Sequence, residues 1–220
     1  MFMIRAIKKN APQLVNISKE RIHDETNKML LTDYPFKAFR LLQILGLMKY
    51  VFPSLQGVDL DYMKSMKAMK PDLILRLIAA HSNNSPAKVQ TEMTNLRYSL
   101  DKIKLVVGTL KALPSFKEKA NSLTDEYLRA LAYTAPDIAP LLLDYASVYV
   151  PNFPAEEIQN QYKQAVEALR VNPLPISGDD LIALGMKPGP EFKTLLDKFK
   201  AMYVKNPATP KEEYLKLLEK

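Results

Sequence analysis

Between Ser18 and Pro53 two apolar helical patterns stand only a few residues apart, and this pairing limits the possible folds more than any other stretch of the chain. Ser18 suits a helix N-cap, and Glu20 in the following turn faces the positive end of the helix dipole. Ile22, Met29 and Leu30 recur at i, i+7 and i+8, which marks one helical face. Pro35 then stands where a first helical residue is expected, Phe36, Phe39, Leu41, Leu42 and Leu45 supply the next apolar pattern, and Gly46 stops it. Helices joined so closely are expected to lie antiparallel or crossed.

The same reading extends in both directions. Lys8 to Val15 reads as the end of a helix broken near Pro12. Met63, Met66 and Met69 form a stripe at helical spacing, read as core. Pro71 is expected at the first position of a helix carrying Leu73, Ile74, Leu77 and Ile78 and ending around His81. Pro86 opens another, and Ser99 is expected to cap Asp101 to Ala112, with Ile103, Val106, Val107 and Leu110 inward. Leu123 to Tyr133, Pro136 to Val150, Pro154 to Val171, Glu191 to Val204 and Pro210 to Leu218 complete the pattern. At Pro140 two readings stand: a kink, or a helix whose first turn is Pro136 to Ala139. No stretch alternates with period two, so an all-α fold without sheet is expected.

Charge narrows the class of partner. The net charge is +7, and residues 1–120 hold 20 Lys and Arg against 10 acids, whereas residues 121–176 hold 3 against 7. A basic half suits a polyanion such as a phosphodiester backbone, although a solvated lysine-rich surface has the same composition. There is no cysteine, hence no disulfide or thiolate metal site, and no apolar run of the length that spans a bilayer. A soluble, cytoplasmic protein is expected, with no membrane partner.

Specific motifs then appear on these helices. Glu20-Arg21-Ile22, Glu25, Lys28 and Leu30 are followed by Pro35, Ala38 and Arg40-Leu41-Leu42, then by Gly46-Leu47 ahead of Phe52-Pro53. This order resembles the neck of class II tRNA nucleotidyltransferases, the CCA-adding enzymes and their bacterial poly(A) polymerase relatives. Thr26 and His23 depart from the family's usual apolar and longer polar residues there. Leu96-Arg97-Tyr98-Ser99 before a Lys-Ile-Lys helix is similar to the body of the same family. Ile176-Ser177-Gly178-Asp179-Asp180-Leu181 and Gly185-Met186-Lys187-Pro188-Gly189-Pro190 resemble its C-terminal signature.

The resemblance implies a multi-helix array without the catalytic β-sheet head: neck-like RNA-binding helices over residues 1–56, a helical body over 57–171 and a helical tail over 172–220. It implies tRNA as partner, held by the acceptor and T arms, with Arg97, Lys102, Lys104, Lys187 and Lys193 as candidate RNA contacts. In the family, the head performs CCA addition with magnesium, CTP and ATP. No match to the head carboxylates or to the nucleotide-templating Glu-Asp-x-x-Arg motif occurs here, so this chain alone is expected to hold no cofactor and to be inactive. A separately encoded nucleotidyltransferase head is a possible second partner. The rival reading is a non-catalytic helical protein-interaction or structural module.

Three short patterns imitate catalytic chemistry. Asp59-Leu60-Asp61 has the spacing of a two-metal carboxylate pair, but acids at a helix start are also favoured by the dipole. His23-Asp24 spells a phosphohydrolase dipeptide, yet the chain has only 2 histidines. Asp179-Asp180 is expected to cap a short helix reaching Leu184. No catalytic or metal-ligating residue is therefore assigned.

Overall fold

A computed structural model describes residues 2–218, and all of their regular structure is helical. In chain order it comprises α1 (Phe2–Asn10), a 3-10 segment (Ala11–Asn16), α2 (Lys19–Leu30), α3 (Pro35–Leu45), α4 (Met48–Val51), 3-10 segments Pro53–Leu55 and Asp61–Ala68, α5 (Leu73–His81) and α6 (Pro86–Asn95). There follow α7 (Leu100–Lys119), α8 (Asp125–Thr134), α9 (Ala139–Tyr149), α10 (Ala155–Val171), α11 (Gly178–Ala183), α12 (Pro190–Lys205) and α13 (Lys211–Leu215). No helix among the described residues is long and apolar enough to cross a membrane.

Contacts divide the chain into two compact units, Met1–Asn121 with Pro140–Phe153, and Ser122–Ala139 with Pro154–Lys220. The first buries Leu30, Phe39, Phe52, Leu77, Val89, Met93, Val106 and Phe116 from successive helices. Met63, Met66 and Met69 are buried as expected, but the first two lie on a 3-10 segment instead of an α-helix and Met69 is the extended residue that ends it. Their i, i+3, i+6 spacing is the one that eclipses on a helix of three residues per turn. The start of α5 also differs from expectation. Asp72, not Pro71, forms the boundary, its carboxylate accepting from the Leu75 N–H at 2.8 Å. At α9, which begins at Ala139, Pro140 lies in the first helical turn, after the turn over residues 136–138. Helix α7 runs past Ala112 and through Pro114 to Lys119.

Buried Arg76 was not anticipated. Its guanidinium donates to the Leu30 and Thr32 carbonyls at 2.6 Å each, satisfying acceptors at the end of α2 that lie beyond the helical hydrogen-bond ladder. The second unit uses the same device. Arg129 donates to the Val204 and Lys205 carbonyls, and the Tyr203 hydroxyl bonds the Leu169 and Asn172 carbonyls. Its core gathers Ile176, Leu181, Leu195, Phe199, Tyr203 and Tyr214. Ser177, not Asp179 or Asp180, is the N-cap of α11, while Asp180 returns a bond to the Ser177 N–H in a capping box. Ser177 and Lys211 hold the Asp180 carboxyl far below the usual carboxylate range.

Candidate nucleic-acid interface

Three helices end in the same left-handed turn. After α3, Gly46 has φ 71°, with Leu47 N–H bonding Leu42 C=O at 2.9 Å and Gly46 N–H bonding Gln43 C=O at 3.1 Å. After α11, Gly185 has φ 85° with the equivalent pair of bonds. After α6, the turn position is Arg97, at φ 63°, with Tyr98 N–H to Met93 C=O and Arg97 N–H to Thr94 C=O both at 3.0 Å. This double bond is the Schellman motif, and the apolar contact that accompanies it is supplied by the buried pair Tyr98 and Met93. Glycine is favoured at that position because it has no Cβ to clash, and arginine is not among the residues that tolerate it well.

The strained backbone places Arg97 on the wall of a concavity of about 430 Å³, with its side chain 68% exposed. Lys19 in the first turn of α2 and Lys49 of α4 also line it, together with Tyr50. The Lys49 ammonium lies 4.9 Å from the centre of the Tyr50 ring. Val15, Val51, Pro53 and Leu96 supply apolar surface. Lys19 brings the N-terminus of α2 to the rim, where the helix dipole adds partial positive charge. The α6 C-terminus contributes Thr94 and Asn95 and opposes it. The loose Arg97 to Glu20 contact, 3.8 Å between side chains both about two-thirds exposed, is too solvated to account for the arginine.

Of the residues singled out from sequence, the structure thus brings Arg97 into a shaped basic site and joins it to Lys19, Lys49 and Tyr50, which sequence reasoning missed. The signal was present in the adjacent basic and aromatic residues Lys49-Tyr50 just before the Phe52-Pro53 stop. Lys102 and Lys104 lie in the first turns of α7, Lys102 half-buried and Lys104 exposed at 4.0 Å from Asp101; neither lines the concavity. Lys187 and Lys193 belong to the second unit, exposed in the link before α12 and in its first turn. In that link only Gly185 needs its left-handed freedom. Gly189 is extended at φ 178°, a conformation open to any residue, and Pro190 occupies the first helical position.

The patterns that imitated catalysis have structural partners. Asp59 accepts from the Asp61 N–H at 2.9 Å, and Asp61 pairs with Lys64 at the start of the 3-10 segment. His23 shares a hydrogen bond with the Leu96 carbonyl at 2.9 Å and lies tilted at 36° against the Tyr98 ring, with ring centres 4.2 Å apart. Among the described residues no group of three or more His, Cys, Asp or Glu is placed to hold a metal ion.

Beside the concavity lies a polar cluster. His81 is fully buried, with Nδ1 at 3.3 Å from Ser54 Oγ and Nε2 at 3.4 Å from Glu92 Oε1. Glu92 Oε2 accepts from the Ser54 N–H at 2.7 Å, and Asn84 donates to Ser54 O and Oγ at 3.2 Å. Burial pushes the Glu92 carboxyl up to about 7, against the Ser54 bonds that oppose the rise, and pushes His81 down to about 4. The short His81 to Glu92 distance alone would also suit an ion pair. With both groups desolvated and no further counter-charge in contact, the neutral imidazole is favoured.

Residues 3–58 match the family described as the probable RNA- and SrmB-binding site of polymerase A. Residues 69–216 match tRNA nucleotidyltransferase domain 2. No curated protein matches the chain. The second match alone spans roughly two thirds of the sequence, and the chain belongs to the tRNA nucleotidyltransferase and poly(A) polymerase family, matching its C-terminal region.

Proposed function

We infer that the chain is an RNA-binding, tRNA-holding portion of a CCA-adding type of nucleotidyltransferase, acting in the cytoplasm. The observation that carries this reading is Arg97. An exposed arginine is retained at φ 63°, where glycine would relieve strain, and its side chain joins Lys19 and Lys49 around Tyr50. Three cations, an aromatic ring and an apolar floor suit a nucleotide backbone with an unpaired base beside it. Lys102 and Lys104 of the first unit and, separately, Lys187 and Lys193 of the second are further candidate contacts to the acceptor and T arms, where shape and phosphates are read more than base sequence. The chain alone adds no nucleotide. CCA addition requires a head bearing the metal-binding carboxylates and the nucleotide template, with magnesium, CTP and ATP.

A second reading has its own observation. On α1, Phe2, Met3 and Ile4 are 89%, 74% and 45% exposed, apolar surface that suits a protein partner such as a separately encoded head. The two readings separate by salt. Four to six phosphate contacts give a slope of log affinity against log salt of about −3 to −5 for tRNA. A flat response, or equal affinity for unrelated acidic polymers, would leave only the interaction module.

A further inference from the structure

We propose that Glu92 couples RNA binding to proton uptake: when a phosphate occupies the Lys19, Lys49 and Arg97 concavity, Glu92 takes a proton from solvent, so binding tightens as pH falls. The proposal rests on the RNA-binding reading of this concavity and concerns its regulation.

Glu92 is 6% exposed, yet it lines both this concavity and a second one formed with Pro53, Ser54, Gln56, Lys88, Thr91 and Asn95. It is the only acidic residue among those lining either space. An incoming phosphate therefore meets three cations and one carboxylate, and neutralising that carboxylate removes the one full negative charge among the lining side chains. His81 from α5 and Tyr98 from the turn after α6 act directly on Glu92, while Lys49 and Tyr50 from α4, Lys19 from α2, Lys88 from its own helix and Arg97 line the spaces it shares. Helix α7, which packs on α6, has no titratable residue among those it buries.

The polar cluster has a place for the proton: His81 Nε2 and Glu92 Oε1 lie 3.4 Å apart, both buried and without a hydrogen-bond partner. With Glu92 ionised, the Ser54 hydroxyl donates to His81 Nδ1, and the proton on Nε2 faces Glu92 Oε1. With Glu92 protonated, Oε1–H donates to Nε2, the imidazole carries its hydrogen on Nδ1 and donates to Ser54 Oγ, and the Ser54 hydroxyl turns to donate to the Glu92 carboxyl, its other side-chain partner. One proton enters from solvent, the imidazole changes tautomer and stays neutral, and Asn84 donates to Ser54 in both arrangements. Burial already holds Glu92 near neutrality, at about 7, so only a small extra bias is required.

The test measures the affinity of the full chain for a fluorescently labelled tRNA transcript at constant ionic strength. From about pH 8 to about pH 6 the wild-type chain should tighten about three- to tenfold, while Glu92→Gln should be flat and bind at the higher pH as the wild type binds at the lower. Calorimetry in buffers of different ionisation enthalpy should show net proton uptake for the wild type and none for Glu92→Gln. A wild-type affinity independent of pH, or a Glu92→Gln variant that keeps the full dependence, overturns the proposal. Should the variant fail to fold, ¹³C NMR of the wild-type Glu92 carboxyl decides: its midpoint rises on tRNA addition, and an unchanged midpoint refutes the linkage. Failure of the underlying reading looks different, as absence of salt-dependent tRNA binding at every pH.

Discussion

The end of α6 and the end of α3 are built on the same pair of backbone hydrogen bonds, yet one carries Arg97 and the other Gly46. At Gly46 a Cβ would meet nothing within 4 Å, so glycine there serves the backbone angle alone. At Arg97 the same angle is imposed on a long side chain, at a cost of about 1 kcal/mol relative to glycine. The neighbours of Arg97 have structural duties: Leu96 and Tyr98 are buried, and Ser99 caps α7 through the Lys102 N–H. The difference teaches that a turn which only reverses the chain is given to glycine, whereas Arg97 keeps a side chain the turn does not need, and the basic concavity is where that side chain goes.

The comparison breaks most severely if the concavity does not bind. Replacing Lys19, Lys49 and Arg97 together by alanine should reduce the tRNA salt slope by about three, with an affinity loss of tenfold or more at moderate salt. Retained slope and affinity in a folded triple variant would remove the reason for the strained arginine. Next in size is the structural control at the other turn. Gly46→Ala should lower unfolding free energy by about 1 kcal/mol and leave tRNA affinity unchanged, because only φ is perturbed. A change in affinity without loss of stability would mean that the Gly46 turn is more than geometry.

The polar cluster sharpens the contrast through pH. Glu92 is raised from its ordinary 4.5 to about 7, so its contribution to stability is complete below about pH 4.5 and is lost as pH rises through about 7. His81 is lowered from 6.5 to about 4, so its contribution is present above pH 6.5 and is lost as pH falls through about 4. Glu92→Gln should accordingly melt higher than the wild type above pH 7, with the gap closing below about pH 5. Thermal melts at both ends check the sign. The smallest binding effect is expected in the second unit, where Lys187→Ala should reduce the salt slope by about one and leave the melt unchanged. An unchanged slope would assign the Gly185 to Pro190 link to architecture, as the capped and buried residues of the preceding motif already are.

Much of this was legible in the sequence for a physical reason: caps, prolines and apolar spacing act locally. Ser18, Pro35, Gly46, Pro86 and Ser99 all mark the boundaries they were expected to mark. Arg76, His81 and Glu92 were not legible, because each is buried by partners remote in the chain: Arg76 by the end of α2, and the other two by one another and by Ser54. The site divided along the same line. Arg97 stood inside a recognisable motif, whereas Lys19 and Lys49 acquire meaning only when α2, α4 and the α6 turn meet.

The central claim, that the Arg97 side chain is kept for RNA at the expense of backbone strain, is tested most directly by Arg97→Gly measured for stability and tRNA binding in the same preparation, with Arg97→Ala beside it. The account predicts that Arg97→Gly gains about 0.5–1 kcal/mol over Arg97→Ala and melts no lower than the wild type, while both variants bind tRNA more weakly with a salt slope reduced by about one. Wild-type affinity and slope in Arg97→Gly, or a fold weakened by the glycine, would contradict it.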